Sequence, residues 1–313
     1  MKTKMLFLAA TLLASLPLSL QAKIERVVEK TFTVSPGGKL TVQTQGGNIR
    51  VTTGTGDRVT VVATQRFKTD SEAEADDYAK NLTLAIEQTG GDVSAISKYD
   101  GSRTKWFSWG GNPVTVNFDV TVPTQYAANV RTSGGNIDIG DLTGDVDAHT
   151  SGGNVKVAKI GGAVNIRTSG GNIEVGEAVK SLDARTSGGH IRVWRVAGNA
   201  EVDTSGGNIT VDEAAGKLNA STSGGNVSVG FTETLAADCS LRTSGGNVAA
   251  KVPSGAAFKL DARTSGGSVR VSDVKIDITE GAIGKTKVVG NVNGGGPLLK
   301  MSTSGGNVNV ASK

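Results

Sequence analysis

Five residues, Thr-Ser-Gly-Gly-Asn or a near copy, begin at Thr132, Thr150, Thr168, Thr186, Thr204 and Thr222, eighteen residues apart each time, and again at Thr243, Thr264 and Thr303. A fixed period near 20 marks a solenoid, whose units bury their apolar faces only by stacking on one another. The later steps are 21, 21 and 39 residues. Since 39 is the length of one 18-residue and one 21-residue unit together, a turn lacking the motif is expected there, with Asn291–Gly296 (NVNGGG) belonging to it.

Composition agrees with repetition. The 313 residues include 44 glycines, about twice the usual share, and 4% aromatics. There is no G-X-Y period and only six prolines, so this is not collagen. With 37% hydrophobic residues and a net charge of +4 the chain can build a core. One cysteine excludes a disulfide framework and a cysteine-based metal site.

Aligned on the threonine, the units alternate with period two. Four positions earlier stand Val146, Val164, Leu182, Leu218 and Cys239; two positions earlier stand Val130, Ile166, Val202 and Leu241. Both columns are expected inside. Polar columns lie between them, one containing Asn129, Asp147, Asn165, Asp183, Glu201 and Asn219, the other Arg131, His149, Arg167 and Arg185. A second strand follows the Gly-Gly turn, with Val155/Val157 and Ile191/Val193 inward, and a third apolar point stands at Leu142, Ile160 and Val196. The expected fold is all-β: a parallel β-helix, or β-solenoid, of about 18 to 21 residues per coil, flattened or irregularly triangular, with a small α+β N-terminal cap. The glycines are expected to permit positive φ at the turn, and the Asn column at its corner to form amide-to-amide hydrogen bonds along the stack. Cys239 reads as a buried packing thiol.

Three stretches divide the chain. Residues 1–22 carry Lys2 and Lys4, an apolar run and Ala22 before Lys23, the pattern of a secretory signal peptide. Its removal leaves 31 basic against 29 acidic residues, too even a balance for nucleic-acid binding. Residues 23–125 hold a first coil (Leu40–Val51) placed well before the array, a capping box at Ser71 and Glu74 opening a helix to Asn81, and a hairpin turning at Gly90–Asp92. This segment is expected to cap the open end of residues 126–313, the repeat array. Within it Trp106, Phe107 and Trp109 stand close together, either as an aromatic platform for a ligand or as cover for the end of the core. Trp194 and Phe231, at corners of the array, are expected to point outward, Trp194 as a further ligand contact.

The residues for chemistry are few. The two histidines fall in repeat columns, and neither a metal-ligand cluster, a nucleophile elbow nor a phosphate loop is present in the sequence, so no cofactor or metal is expected. The best enzymatic case is Asp183 with Glu201, column neighbours expected about 5 Å apart, a spacing compatible with a retaining glycosidase.

The early GGNIRV, the entry FDVTVPTQYAANVRTSGGNIDI, the TSGGN series and the terminal NVNGGGPLLKMSTSGGNVNV resemble a bacterial family of secreted or envelope proteins classed as adhesins, a domain of unknown function with a β-solenoid fold. The resemblance covers essentially the whole mature chain. It implies binding at the cell surface or in the periplasm, and no catalytic residues that transfer. The leading expectation is therefore an exported non-enzymatic adhesin or envelope-associated binding or structural solenoid, periplasmic, cell-surface or extracellular. Its partners would be surface glycans, envelope components or another protein, with no nucleic acid and no transmembrane segment in the mature chain. A polysaccharide-processing hydrolase or lyase is the alternative.

Overall fold

The computed structural model describes residues 23–100, 112–277 and 284–313. The proposed signal segment 1–22 lies outside them. Two long sheets, of 14 and 13 strands, enclose one core, and each coil gives its strand before the Gly-Gly turn to the first and its strand after the turn to the second. We call these the pre-turn and post-turn sheets and name each coil by its threonine.

Strands stack in parallel with side chains in columns. In the pre-turn sheet Val146 pairs with Val164, Val164 with Leu182 and Leu182 with Ala200; in the post-turn sheet Val155 pairs with Ile173 and Ile173 with Ile191. All of these are buried, as are Leu142, Ile160 and Val196 at the third apolar point. Phe231 differs from expectation. A register shift after Val211 places it opposite Ala214, so the ring fills the apolar corner at 1% exposure instead of pointing outward.

The turn is where coils touch most closely. Thr150 Oγ1 donates to the Gly135 carbonyl of the preceding coil (2.9 Å) and accepts from the Gly153 N–H of its own (3.2 Å). Thr168, Thr186, Thr204 and Thr222 repeat both bonds, each buried. From Gly135 onward the second glycine of each pair packs against the second glycine of the coil stacked before it, as Gly47 does against the Val116 backbone: a Cβ on Gly171 would overlap the carbonyl of Gly153. Left-handed φ is not the reason for these glycines. Positive-φ glycines occur instead at sites such as Gly294, Gly295 and Gly296, which turn the chain into the Thr303 coil. Absence of a side chain, and not left-handed backbone, is what the second glycine supplies.

The Asn column also bonds differently from expectation. Each side-chain oxygen accepts the backbone N–H of the next rung, as Asn136 Oδ1 does from Asn154 and Asn154 Oδ1 from Asn172, both at 2.8 Å. Amide-to-amide bonds join only a few rungs, such as Asn247 to Asn226 (3.2 Å). The chain of bonds begins at Asn117, passes through Asn48, and ends with Asn307 accepting from Ser268. His190 substitutes for one amide, its Nδ1 accepting from the Asn208 N–H at 2.9 Å.

Stacking order departs from chain order at both ends. The first coil does not stand apart from the array: Leu40 pairs with Ala128 and Ile49 with Ile137, directly on the Thr132 coil. Beyond it lie Asp92–Tyr99 and Val114–Pro123, although Val114–Pro123 precedes the Thr132 coil in sequence. At the other end the Thr303 coil is inserted between the Thr243 and Thr264 coils, with Leu241 on Met301 and Met301 on Ala262. The extra turn expected around Asn291–Gly296 is instead an antiparallel strand, Lys287–Val292, against Phe258–Thr264. Just before it, the carbonyls of Lys285 and Thr286 accept from Val269 and Thr264 on the outermost coil. Antiparallel strands also flank the far end, where Leu82–Thr89 pairs with Asp92–Tyr99, and Arg58–Phe67 lies between Val114–Pro123 and Glu25–Thr33. A full coil has two faces to stack; the terminal coils lie inside, antiparallel pairing occurs only towards the ends of the sheets, and the Thr264 coil leaves Val269–Ser272 as a parallel edge strand.

The helix forms as Glu72–Ala79, with Ser71 Oγ accepting the Glu74 N–H (3.4 Å). The reciprocal half of the capping box does not form, because the Glu74 carboxylate accepts from Thr69 and Tyr78.

Two predictions follow from the turn. Gly171→Ala should lower stability by about 3 kcal/mol or more through backbone overlap, while Gly170→Ala, whose Cβ would meet only ordinary contacts, should be neutral or gain up to about 1 kcal/mol; urea unfolding distinguishes them. His190→Ala should cost about 1 kcal/mol by removing the acceptor for Asn208, and His190→Asn should restore it, read by the same unfolding curves.

Candidate functional site

The outer face of the pre-turn sheet carries a groove of about 780 Å³ running along the stack from Lys39 to Lys217. One side is the outward column Asn129, Asp147, Asn165, Asp183, Glu201 and Asn219; of the residues that precede the inward column, Ala127, Ala163 and Ser181 are small and leave room in the groove, while Lys39, Asp145, Asn199 and Lys217 border it. Seven successive strands contribute, a span of about 29 Å at the usual strand spacing. Parallel stacking in register is what aligns these side chains, so each coil offers nearly the same set of amide and carboxylate groups. The polar column was legible in the sequence. The groove was not, because its depth depends on the small residues beside that column, a contrast visible only once neighbouring coils are stacked.

Along its edge the carboxylates are already engaged. Asp147 lies 2.6 Å from His149 Nε2 and 3.2 Å from Arg131 Nη2. Asp183 and Glu201 are register partners on adjacent strands, as expected, but Arg185 reaches both: Nε lies 2.7 Å from Asp183 and Nη2 2.9 Å from Glu201. Arg167 approaches Asp183 as well, at 3.5 Å. A retaining glycosidase needs the gap between its carboxyls open to the scissile bond; here a guanidinium ties the pair together. The Asp183 hydrogen bond holds the Arg185 pKa above even its ordinary high value. Among the described residues no cluster of His, Cys, Asp and Glu could hold a metal ion, and no helix is long and apolar enough to cross a membrane.

Trp194 stands on the other sheet. It is 40% exposed, and the Arg192 guanidinium sits 4.9 Å from its ring centre while pairing with Asp212 at 2.9 Å. In the adjoining charged column Glu177 lies between Lys159 (2.9 Å) and Arg195 (3.6 Å), which in turn meets Glu213 (3.3 Å). Opposite charges thus alternate from coil to coil, a register device. Trp106, Phe107 and Trp109 lie outside the described residues. Cys239 is buried between Leu218 and Leu299, where burial pushes its thiol pKa up, away from the reactive thiolate.

The family model described as Toastrack DUF4097 matches residues 38–311, the whole stack from the first coil to the last strand. The chain belongs to this family. The Toastrack chain is also similar to solved structures described as a "putative adhesin" from Bacteroides fragilis (14% identity, covering 92% of this chain and 97% of that one, TM-score 0.42), a "putative adhesin" from Parabacteroides merdae (12%, 92% and 96%, 0.44) and a "putative lipid binding protein" from Parabacteroides distasonis (17%, 91% and 96%, 0.45). No curated protein matches the Toastrack chain.

Asp203, beside this ion-pair cluster, yields a pH test. Burial raises its carboxyl pKa, and Glu201 raises it further against the opposing Arg185. The folded protein therefore holds this proton to higher pH than the unfolded chain, so the residue's contribution to stability falls as pH rises from the ordinary carboxyl range through the raised folded value. Asp203→Asn should raise Tm at neutral pH and flatten that part of the Tm-against-pH curve, measured by calorimetry from acidic to neutral pH.

Proposed function

We propose that this protein is an exported, non-enzymatic adhesin or envelope-associated binding solenoid, and that the groove on its pre-turn sheet receives a linear glycan. Residues 1–22 serve as the export signal, residues 23–125 form the first coil and close one end, and residues 126–313 form the array of coils of 18 to 21 residues. The mature protein works in the periplasm, at the cell surface or outside the cell.

The observation that carries this reading is the groove itself: one column of amides and ion-paired carboxylates repeated over six strands. A polymer whose hydroxyls recur along its length meets the same donors and acceptors coil after coil, and many weak contacts then add along one rigid face. The arginines hold the acidic side chains in fixed positions, which favours recognition over proton transfer. Trp194 supplies a separate aromatic contact on the other sheet, and Trp106, Phe107 and Trp109 are a third candidate contact.

Binding to a glycan panel and to envelope fractions tests the proposal. Ser181→Tyr, which fills the groove from a partly exposed position, should weaken glycan binding about tenfold or more while leaving Tm within a few degrees; unchanged binding would remove the groove from the account. Trp194→Ala and the double variant Trp106→Ala/Trp109→Ala separate the aromatic contacts from it. The alternative, a polysaccharide hydrolase or lyase, requires sugar-releasing activity that disappears in Asp183→Asn, and such a result would overturn the non-enzymatic reading.

A further inference from the structure

The same outer face changes character at the C-terminal end. Insertion of the Thr303 coil brings Arg242, Ser302, Arg263 and Lys287 into one column on four adjacent strands: Arg242 pairs with Ser302, Ser302 with Arg263, and Arg263 with Lys287. They are neighbours because the chain folds back between its own coils. Ser302 stands where most earlier coils carry an arginine or histidine, and its small side chain opens a hollow of about 580 Å³ bordered by the three cations and by hydroxyls such as those of Ser304 and Thr286. The four strands span about 14 Å, short enough for the two arginines and the lysine to converge on one group above Ser302.

Charge separates this place from the rest of the column. Arg131, Arg167 and Arg185 are each paired with carboxylates. Beside the hollow one carboxylate, Asp261, pairs with Arg263 at 2.6 Å. No other carboxylate among the described residues lies within ion-pair distance of Arg242 or Lys287. Among the described residues two cations are therefore left to a ligand, beside guanidinium and hydroxyl donors whose geometry suits tetrahedral oxygens.

We infer that this hollow is an oxyanion site that takes a phosphate group, as a soluble phosphate monoester or as a lipid headgroup. Two unneutralised cations match a doubly charged phosphate better than a single carboxylate, and surface exposure admits a group carried on a larger molecule. The site does not depend on the glycan groove, which lies on other coils.

Isothermal titration of the mature chain with inorganic phosphate at low ionic strength tests it. Saturable binding is expected, weakened about tenfold or more by Arg242→Ala/Lys287→Ala and unchanged by Arg131→Ala, whose arginine shares the column but is already paired. Ser302→Glu, which places a carboxylate in the hollow, should abolish binding with circular dichroism unchanged, and keeps the test informative if the double variant misfolds. Glucose 6-phosphate against glucose, and phosphatidylcholine vesicles with and without phosphatidic acid, then assign the phosphate to a soluble or a lipid source. Absence of saturable binding in all arms, or equal loss in Arg131→Ala, would overturn the site.

Discussion

Everything in this structure depends on how closely two coils approach at the Gly-Gly turn. The second glycine of one coil rests against the carbonyl of the second glycine before it, with no room for a methyl group. At that distance the threonine hydroxyl can bridge the two coils, donating backward and accepting from its own turn. The Asn oxygen a few atoms away accepts from the next coil's backbone. Buried polar groups in the turn are thus satisfied by the neighbouring coil, and every coil needs another beside it. The apolar columns then supply the burial, and alternating charges such as Lys159, Glu177 and Arg195 help fix which coil sits next to which.

That requirement explains the ends. The coils nearest the two chain termini carry the Thr, the Gly pair and the Asn of the motif, with Thr44 and Thr303 both buried, so each gains most between two others. Placing them there leaves the outermost positions to the Thr264 coil and to flanking strands that pair antiparallel near the ends. The result is a rigid stack whose polar face changes along its length: amides and arginine-bound carboxylates over the first coils, cations around Ser302 at the last.

Much of this was legible from residues alone. The period, the inward columns, the helix start at Ser71 and the hairpin turning near Gly90 all come from local pattern, which parallel stacking preserves. The identity of neighbours at the ends was not legible, because nothing in the Thr264 coil's sequence says whether the next coil or the last one lies on it. Phe231 was read as outward because the column pattern carries the 18-residue register forward, whereas the register shifts after Val211 and sets Phe231 opposite Ala214. The glycines suggested positive φ since that is their commonest use; their actual role, backbone contact between coils, involves a residue eighteen positions away. For the site, Asp183 and Glu201 were correctly read as neighbours with Arg185 beside them; that its guanidinium reaches both depends on side-chain conformation, which the column pattern does not carry.

The interleaved stack is the claim on which the order of the polar face, and with it both proposed binding sites, depends. Residue-resolved amide hydrogen exchange tests it most directly at Val308, near the C-terminus, whose N–H donates to Ser268 at 3.0 Å. A coil held between two others should protect Val308 to the level of Val155 in the middle of the array. Exchange at Val308 as fast as in a frayed chain end would contradict the account.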